Sequence, residues 1–318
     1  MPIALLNFPT DLLGEVFKEC DPFELYILSK CSKKTRNSVK LGGTRNWKIS
    51  YGIDWKIIIE CGDGSDFHFC PTVEPEEYFK IDNSNKRMYV DIPFEGNPDF
   101  FFYLLEIFGI RGVELLGFHE GTFDTVLSIV KVLIERKTEI ETFAIGEVSR
   151  TEIVAQFMPL LAQMNITNGF HCCSKFPPDY HYHFAKYPNQ LFIAFSSWFN
   201  IGQLLDCTCV RIELWRSMLG NQELDVFLQH WKKKGTFPNL RFLRVKGNKI
   251  VNKSPILGMI PPIQNVDNPR VEVLLGPPEP DVIVDPVRVT KDDGTEGWLK
   301  VGLGFYPELT LLVSNPST

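Results

Sequence analysis

The sequence predicts an α/β protein with three short N-terminal helices, a body of repeated strand–helix–strand units, and antiparallel strands at the end. Three observations support this fold class. Helix-capping residues recur near the start, apolar residues recur at strand and helix spacing through the body, and an Asp-Gly turn separates two alternating stretches near the end. We expect three domains: residues 1–45, a strand-rich connector at 46–106, and the body at 107–318.

The N-terminal segment carries start signals for three helices. Thr10 is able to cap the first helix. Asp21 suits the N-cap of the second, because Pro22 follows at the first helical position and Glu24 completes a capping box. Ser32 precedes a third, basic helix. Segments of about forty residues rarely bury a stable core without disulfides or metal, so another surface must cover these helices.

The order of motifs in this segment resembles an F-box, from Asn7 to about Lys40. Phe-Pro precedes an apolar helix, and Asp-Pro-Phe-Glu-Leu precedes Leu-Ser-Lys-Cys-Ser-Lys-Lys-Thr-Arg. The resemblance implies docking on a Skp-type adaptor, and through it on a cullin. By apolar character at family positions, the expected docking residues are Phe8, Pro9, Leu12, Val16, Phe17, Pro22, Leu25 and Leu28. The alternative is a helical cap on a larger domain, with residues such as Val16 and Leu25 buried inside the chain.

Composition indicates a folded protein that binds neither nucleic acid nor membrane. The chain is 44% hydrophobic and 23% charged, with a net charge of −6, and it has no concentrated basic surface. The run Lys232 to Lys234 is expected to end a helix. No apolar stretch approaches the length of a membrane span, and the N-terminus does not resemble a secretory signal. The eight cysteines are thinly spread, which is typical of reduced thiols, so we expect a cytoplasmic or nuclear protein.

The stretch between the N-terminal helices and the body has two parts, which predict different structures. Residues 47–69 alternate apolar and polar side chains around a turn-rich sequence, which predicts strands and a hairpin. Residues 71–98 are polar and poorly periodic, which favours a linker with one strand near Met88 to Ile92. This connector is therefore expected to contribute few elements to the fold.

The body repeats a pattern of apolar residues. The stretches that share the spacing apolar-x-x-apolar-x-apolar are 110–115, 140–145, 207–212 and 240–245. Amphipathic helices are predicted inside each pair, and further helices and a strand between the pairs. Strand starts recur at about 20–30 residues, so the body is predicted to be leucine-rich-repeat-like. The spacing is irregular and there is no asparagine ladder, so a compact α/β domain with a parallel sheet stays an alternative.

The C-terminal end of the chain has two parts with different sequence patterns. Residues 255–286 are rich in proline, which favours an extended connection packed on the body. The tail then predicts strands at Val287 to Thr290, Gly297 to Val301 and Leu309 to Val313. Asp-Gly at residues 293–294, between alternating stretches, is a strong hairpin signal.

The C-terminal half carries a second resemblance, to the type-2 F-box-associated domain. It spans about Ile107 to Val313 and is densest after Leu204. The stretches that carry it are Leu204-Leu205-Asp206-Cys207, Ile212-Glu213-Leu214, Leu224-x-x-Phe227-Leu228-x-x-Trp231, Gly235, Asn239-Leu240-Arg241 and Lys291-Asp292-Asp293-Gly294. The resemblance implies a substrate-recruiting role.

One face of the predicted strands suits recognition of a target protein. Alternation along the strand after Val210 directs Arg211, Glu213 and Trp215 away from the buried side, and Arg244 has the corresponding place on the next strand. A mixed face with a tryptophan and arginines is a plausible binding surface for an unknown protein substrate. An ordinary solvated exterior is the alternative.

Enzyme motifs are lacking. The sequence contains no phosphate loop, no nucleophile elbow and no His-Glu-x-x-His helix. His181 and His183, with Cys172 upstream, are the best metal candidate, but they lack paired Cys-x-x-Cys spacing. We therefore expect no metal, cofactor or catalytic residue. The leading hypothesis is a non-catalytic adaptor of a Skp/cullin/F-box (SCF-type) ubiquitin ligase; the alternatives are an interaction scaffold outside an active ligase and a metal-dependent enzyme.

Overall fold

The computed structural model describes residues 8–42, 46–52, 55–177, 179–267, 270–273 and 281–314. The chain forms two compact units. Unit 1 comprises Met1–Gly146 with Gln163–Thr167, and unit 2 comprises Glu147–Ala162 with Asn168–Thr318. The predicted domain ends at residues 45 and 106 both fall inside unit 1. Among the described helices, none combines the length and the apolar character needed to cross a bilayer.

Unit 1 begins with the three predicted helices, α1 (Thr10–Glu19), α2 (Pro22–Cys31) and α3 (Lys33–Val39). The capping box of α2 is present: the Asp21 carboxylate accepts a bond of 2.8 Å from the Glu24 N–H, and the Asp21 N–H donates to the Glu24 carboxylate at 2.9 Å. Ser32 caps α3. The prediction for Thr10 is wrong, because α1 starts at Thr10 itself and its N-cap, Pro9, has no side-chain donor or acceptor.

Seven strands and two longer helices complete unit 1. The strands are β1 (Lys48–Tyr51), β2 (Ile57–Glu60), β3 (Asp66–Thr72), β4 (Ile81–Asp82), β5 (Arg87–Asp91), β6 (Val113–Phe118) and β7 (Glu139–Ile145). The helices are α4 (Pro98–Phe108) and α5 (Phe123–Glu135). The strand order is β7-β6-β1-β2-β3-β5-β4. β1, β6 and β7 are parallel, whereas β1, β2 and β3 form an antiparallel meander that contains the predicted strands and hairpin.

The strand predicted near Met88 to Ile92 is present as β5, but the stretch also contains β4 and joins this sheet, so the prediction of a linker is wrong. β5 pairs in parallel with β3 and antiparallel with β4, and Met88 and Val90 on β5 are buried. Helix α4, which the sequence reading missed, begins at the end of the same stretch. Asn97 caps its start, and it ends at Gly109 in the left-handed conformation that glycine adopts without strain. The fully buried side chains of α4 include Phe101 and Leu104.

Unit 2 contains the remaining elements. Its helices are α6 (Thr151–Phe157), α7 (Ile201–Asp206) and α8 (Asn221–Trp231). Its parallel strands are β8 (Asn165–Cys172, from residue 168 onward), β9 (Gln190–Ile193), β10 (Arg211–Leu214) and β11 (Phe242–Lys246). Its remaining strands are β12 (Val271–Val273), β13 (Asp281–Ile283), β14 (Val287–Thr290), β15 (Glu296–Gly302) and β16 (Glu308–Val313). Strand β8 was not predicted.

The strands of unit 2 follow one another in chain order. β8, β9, β10 and β11 are parallel neighbours, and β16, β15 and β14 continue the sheet antiparallel. Ile212 lies opposite both Leu191 and Leu243, so one face of the strands is a continuous apolar layer. The α8 side chains Leu224, Phe227, Leu228 and Trp231 are fully buried, as their spacing predicts. This sequential order supports the repeat-like prediction.

The proline-rich segment covers part of the other face. Within it, β12 and β13 form an antiparallel hairpin. Ile283 belongs to a buried cluster with Phe242 and Leu312, and Val271 and Trp298 pack against that cluster. The predicted extended connection therefore contains a hairpin. The strand face that we expected to bind a target is covered at β16 and at the start of β11. Residues 268–269 and 274–280 of this segment lie outside the described part.

Candidate protein-interaction sites

Helix α2 fixes the N-terminal segment to the rest of unit 1 through aromatic contacts. The ring of Phe23 meets those of Phe67 and Phe69 edge-on, with centroids 5.1 and 5.3 Å apart. Tyr26 contacts Phe69 at 5.3 Å and Phe100 on α4 at 5.7 Å. Edge-to-face pairs at these distances add to the stabilisation from burial. The surface that the isolated segment could not cover itself is thus partly covered by β3 and α4.

Polar contacts on α3 and the turn after it strengthen the same attachment. The Arg36 guanidinium lies 4.4 Å from the Tyr103 ring centroid, within the range of a cation–π contact. The Lys40 ammonium lies 2.6 Å from the Glu106 carboxylate, and this hydrogen bond lowers the pKa of Glu106. Both side chains of that pair are substantially exposed, so the pair contributes little stability. Basic side chains of α3 and of the turn after it thereby contact α4.

Helix α1 leaves apolar side chains in solvent. Phe8 is 37% exposed and Leu12 is 46% exposed, and Leu41, in the turn that packs on α1, is 40% exposed. Pro9 is exposed as well, and Val16 is half-buried. We call Phe8, Pro9, Leu12 and Leu41 the α1 surface. Leu41 was not predicted, because its position after α3 gives no periodic signal.

Three of the predicted docking residues are instead core residues of unit 1. Phe17 is 0% exposed and Leu25 is 4% exposed, and Pro22 at the start of α2 is buried too. Leu28 is half-buried. Apolar character at family positions does not distinguish a side chain that docks on a partner from one that packs inside its own chain. The candidate docking residues that remain are those whose side chains reach solvent.

The four predicted target-binding residues do share one face of the unit 2 sheet. Glu213 pairs with the guanidinium of Arg211 at 2.7 Å and with that of Arg244 at 3.4 Å. Both arginines also lie over the ring of Phe242, at 4.3 and 4.9 Å from its centroid. All three charged side chains are largely buried, so one carboxylate balances two cations within a network internal to the chain.

Trp215 lies at the carboxyl end of the same face and is 37% exposed. Its ring meets Phe192 edge-on at 5.2 Å, and the Lys246 ammonium lies 4.7 Å from its centroid. Lys246 in turn pairs with Glu308 on β16 at 3.2 Å. We call Arg211, Glu213, Trp215 and Arg244 the arginine–tryptophan face.

A cleft of about 430 Å³ opens near this face, and the sequence reading missed it. The residues lining it include Glu147, Thr151, Cys173, Lys175, Phe195 and Arg216. They lie just before or at the start of α6, or directly after β8, β9 and β10, all within unit 2. Because these residues are distant in sequence and follow no common motif, only the fold brings them together. We call Lys175, Phe195 and Arg216, with the space they border, the cationic cleft.

The proposed metal ligands do not form a site. Cys172 is completely buried, and burial raises the pKa of its thiol to about 12, so it is neutral at physiological pH. His181 and His183 are exposed in the loop before β9. Among the residues that the structure describes, no group of three or more His, Cys, Asp or Glu side chains could hold a metal ion.

Two parts of the chain match known protein families. Residues 5–42 match the F-box domain, and residues 180–245 match the family described as F-box associated. These matches confirm the resemblance to an F-box protein. No curated protein and no solved structure matches the chain at a significant level. The α1 surface lies within the F-box domain, and the arginine–tryptophan face lies within the F-box-associated segment.

Proposed function

We propose that this F-box protein is a non-catalytic substrate-recognition subunit of a Skp/cullin/F-box ubiquitin ligase. F-box domains generally bind a Skp-type adaptor, which links them to a cullin. One observation carries the proposal: the F-box helices present an apolar α1 surface to solvent while their other side is packed into unit 1. A partner that covers Phe8 and Leu12 gains about 25 cal/mol for each Å² of apolar area removed from water, before the costs of association.

The arginine–tryptophan face and the cleft beside it support the second half of the proposal. An adaptor needs a surface for its target that is separate from its ligase contact. The face lies in unit 2, within the F-box-associated segment, whereas the α1 surface lies in unit 1. It combines an exposed tryptophan with arginines, which are residue types enriched at the centres of interfaces. Catalysis is then performed by other subunits.

A binding assay with a purified Skp-type adaptor tests the proposal. Phe8→Ala with Leu12→Ala is expected to weaken binding at least about tenfold, because both side chains contribute to the buried centre of the interface. Val73→Ala with Phe94→Ala is the matched control, since these two apolar residues of unit 1 are also exposed but lie outside the F-box domain. Both double variants should keep the unfolding temperature of the unmodified protein.

The result of this binding assay distinguishes the proposed function from the alternatives. Binding of the adaptor that survives loss of Phe8 and Leu12 would contradict the α1 surface as the docking site. If the adaptor binds but cullin does not join the purified complex, the chain is a scaffold outside an active ligase. Recovery of adaptor, cullin and ubiquitin transfer to a co-purifying protein is the expected result.

A further inference from the structure

Two cations in unit 2 share one aromatic ring. The Lys175 ammonium lies 5.3 Å from the ring centroid of Phe195, and the Arg216 guanidinium carbon lies 4.1 Å from the same centroid. Within the described part of the chain, neither forms an ion pair with a carboxylate. Both cations also line the cationic cleft, and like charges near a protein surface repel each other more strongly than in bulk water. An anion bound in this cleft would offset that repulsion.

The neighbouring cations each form an ion pair with a carboxylate. Glu213 pairs with Arg211 and Arg244, and Glu308 pairs with Lys246. Glu147 also lines the cationic cleft but forms no ion pair with either of its cations among the described residues. Among these described side chains, five cations therefore face three carboxylates, in a chain whose net charge is −6. Lys175 and Arg216 are the two of these five cations that form no ion pair with a carboxylate in the described part of the chain.

The backbone holds Arg216 in a costly conformation. Its φ of 51° lies in the left-handed region, which costs a residue with a Cβ about 1–2 kcal/mol. Hydrogen bonds on both sides enforce it: the Trp215 N–H donates to Ile193 at 2.8 Å, and the Ser217 N–H donates to Lys246 at 2.9 Å. Glycine would adopt this φ without strain, so an arginine at this position costs stability relative to glycine.

We propose that Lys175 and Arg216 bind carboxylates in an acidic, unphosphorylated segment of a target protein. This proposal rests on the adaptor function proposed above. Charge complementarity selects the occupant: the cationic cleft has two cations that form no ion pair among the described residues, and its volume of about 430 Å³ has room for more than one side chain. The exposed Trp215 ring, next to Arg216 in sequence, provides apolar contact for the same segment.

A fluorescent peptide of repeated Glu-Ser-Gly units tests the proposal with the full-length protein. Anisotropy should show saturable binding that weakens as salt is added, because added salt increasingly screens attraction between exposed charges. A twin peptide with Gln in place of Glu should not bind. Lys175→Gln and Arg216→Asn should each weaken binding by about two- to fivefold, the range expected for exposed ion pairs. Asn tolerates the left-handed backbone, so Arg216→Asn should keep or raise the unfolding temperature.

Control variants and peptides decide between explanations. Lys233→Gln with Lys234→Gln, at the exposed end of α8, removes two positive charges and should leave binding unchanged. Equal weakening by this pair would show a general charge effect and overturn the proposal. Binding of a single-stranded oligonucleotide, or of a phosphoserine peptide in preference to the Glu peptide, would overturn it too. Adaptor binding measured on the same variants keeps the two proposals distinguishable, since the α1 surface is unchanged in all of them.

Discussion

The hydroxyl oxygens of Ser29 and Tyr103 lie 2.6 Å apart and join helix α2 of the F-box domain to helix α4. Ser29 also donates to the Tyr26 carbonyl at 2.6 Å, so Tyr103 is the donor in the contact between hydroxyls. Lys30 and Arg36 both lie 4.4 Å from the centroid of the Tyr103 ring. Tyr103 is thus shared by α2, α3 and α4, and the F-box helices belong to the core of unit 1.

Replacement of Tyr103 by Phe should destabilise unit 1 by about 0.5–1.5 kcal/mol, the usual net contribution of one hydrogen bond. The ring and its two cation–π contacts remain, so the loss should not be larger. Urea unfolding followed by tryptophan fluorescence measures the change. Tyr78→Phe is the control: its hydroxyl also donates a hydrogen bond, to Asp91, but at an exposed position, and it should change stability little. Equal effects of the two variants would contradict the role of Tyr103.

Gly297 on β15 allows the indole of Trp231 to pack directly on the strand. A Cβ at this position would lie 2.6 Å from the Trp231 ring, which is completely buried. Gly297→Ala should therefore destabilise unit 2 by about 1–3 kcal/mol, the usual cost of overpacking. Gly302→Ala on the same strand is the matched control, because its Cβ would meet no atom within 4 Å. Thermal unfolding measures both, and comparable melting temperatures would contradict the packing.

Local signals predicted the parts of the fold that depend on neighbours in sequence. The capping box of Asp21 and Glu24, the buried stripe of α8 and the hairpin after Thr290 each need only a few consecutive residues, and all three are present. For Leu25 the sequence left both docking and burial open, because the partners that cover α2 come from β3 and α4, which are distant in sequence. The meeting of Lys175 and Arg216 on Phe195 requires the parallel order of β8, β9 and β10, which no local pattern encodes.

The Glu60 and Glu114 side chains share a hydrogen bond that raises the pKa of Glu60. The folded state then holds this proton more tightly than the unfolded state. The contact stabilises the fold fully below the ordinary pKa of 4.5, and its contribution is lost as the pH rises through the raised value. At neutral pH the two carboxylates repel each other, although Lys48 lies 3.0 Å from Glu114.

Glu60→Gln should therefore raise the unfolding temperature at pH 7, because an amide donates to Glu114 without a bound proton. The gain should shrink as the pH falls toward about 4, where the native carboxyl is protonated. Unfolding temperatures measured across this pH range check the prediction. Glu95→Gln, an exposed position in unit 1, removes the same charge and should show no such pH dependence. A gain independent of pH would exclude the shared proton as its cause.

The cysteines offer a direct test of the non-catalytic assignment. Burial raises the pKa of Cys172 to about 12 and the pKa of Cys207 well above its ordinary value, whereas Cys31 is exposed on α2. Since the thiolate is the reactive form, iodoacetamide at pH 8 should label Cys31 quickly and leave Cys172 and Cys207 unmodified in the native protein. Peptide mapping by mass spectrometry identifies the labelled sites, and the same reaction in urea should reach all eight cysteines. Rapid labelling of native Cys172 would show that its thiol is reactive. That result would support the alternative hypothesis of a metal-dependent enzyme.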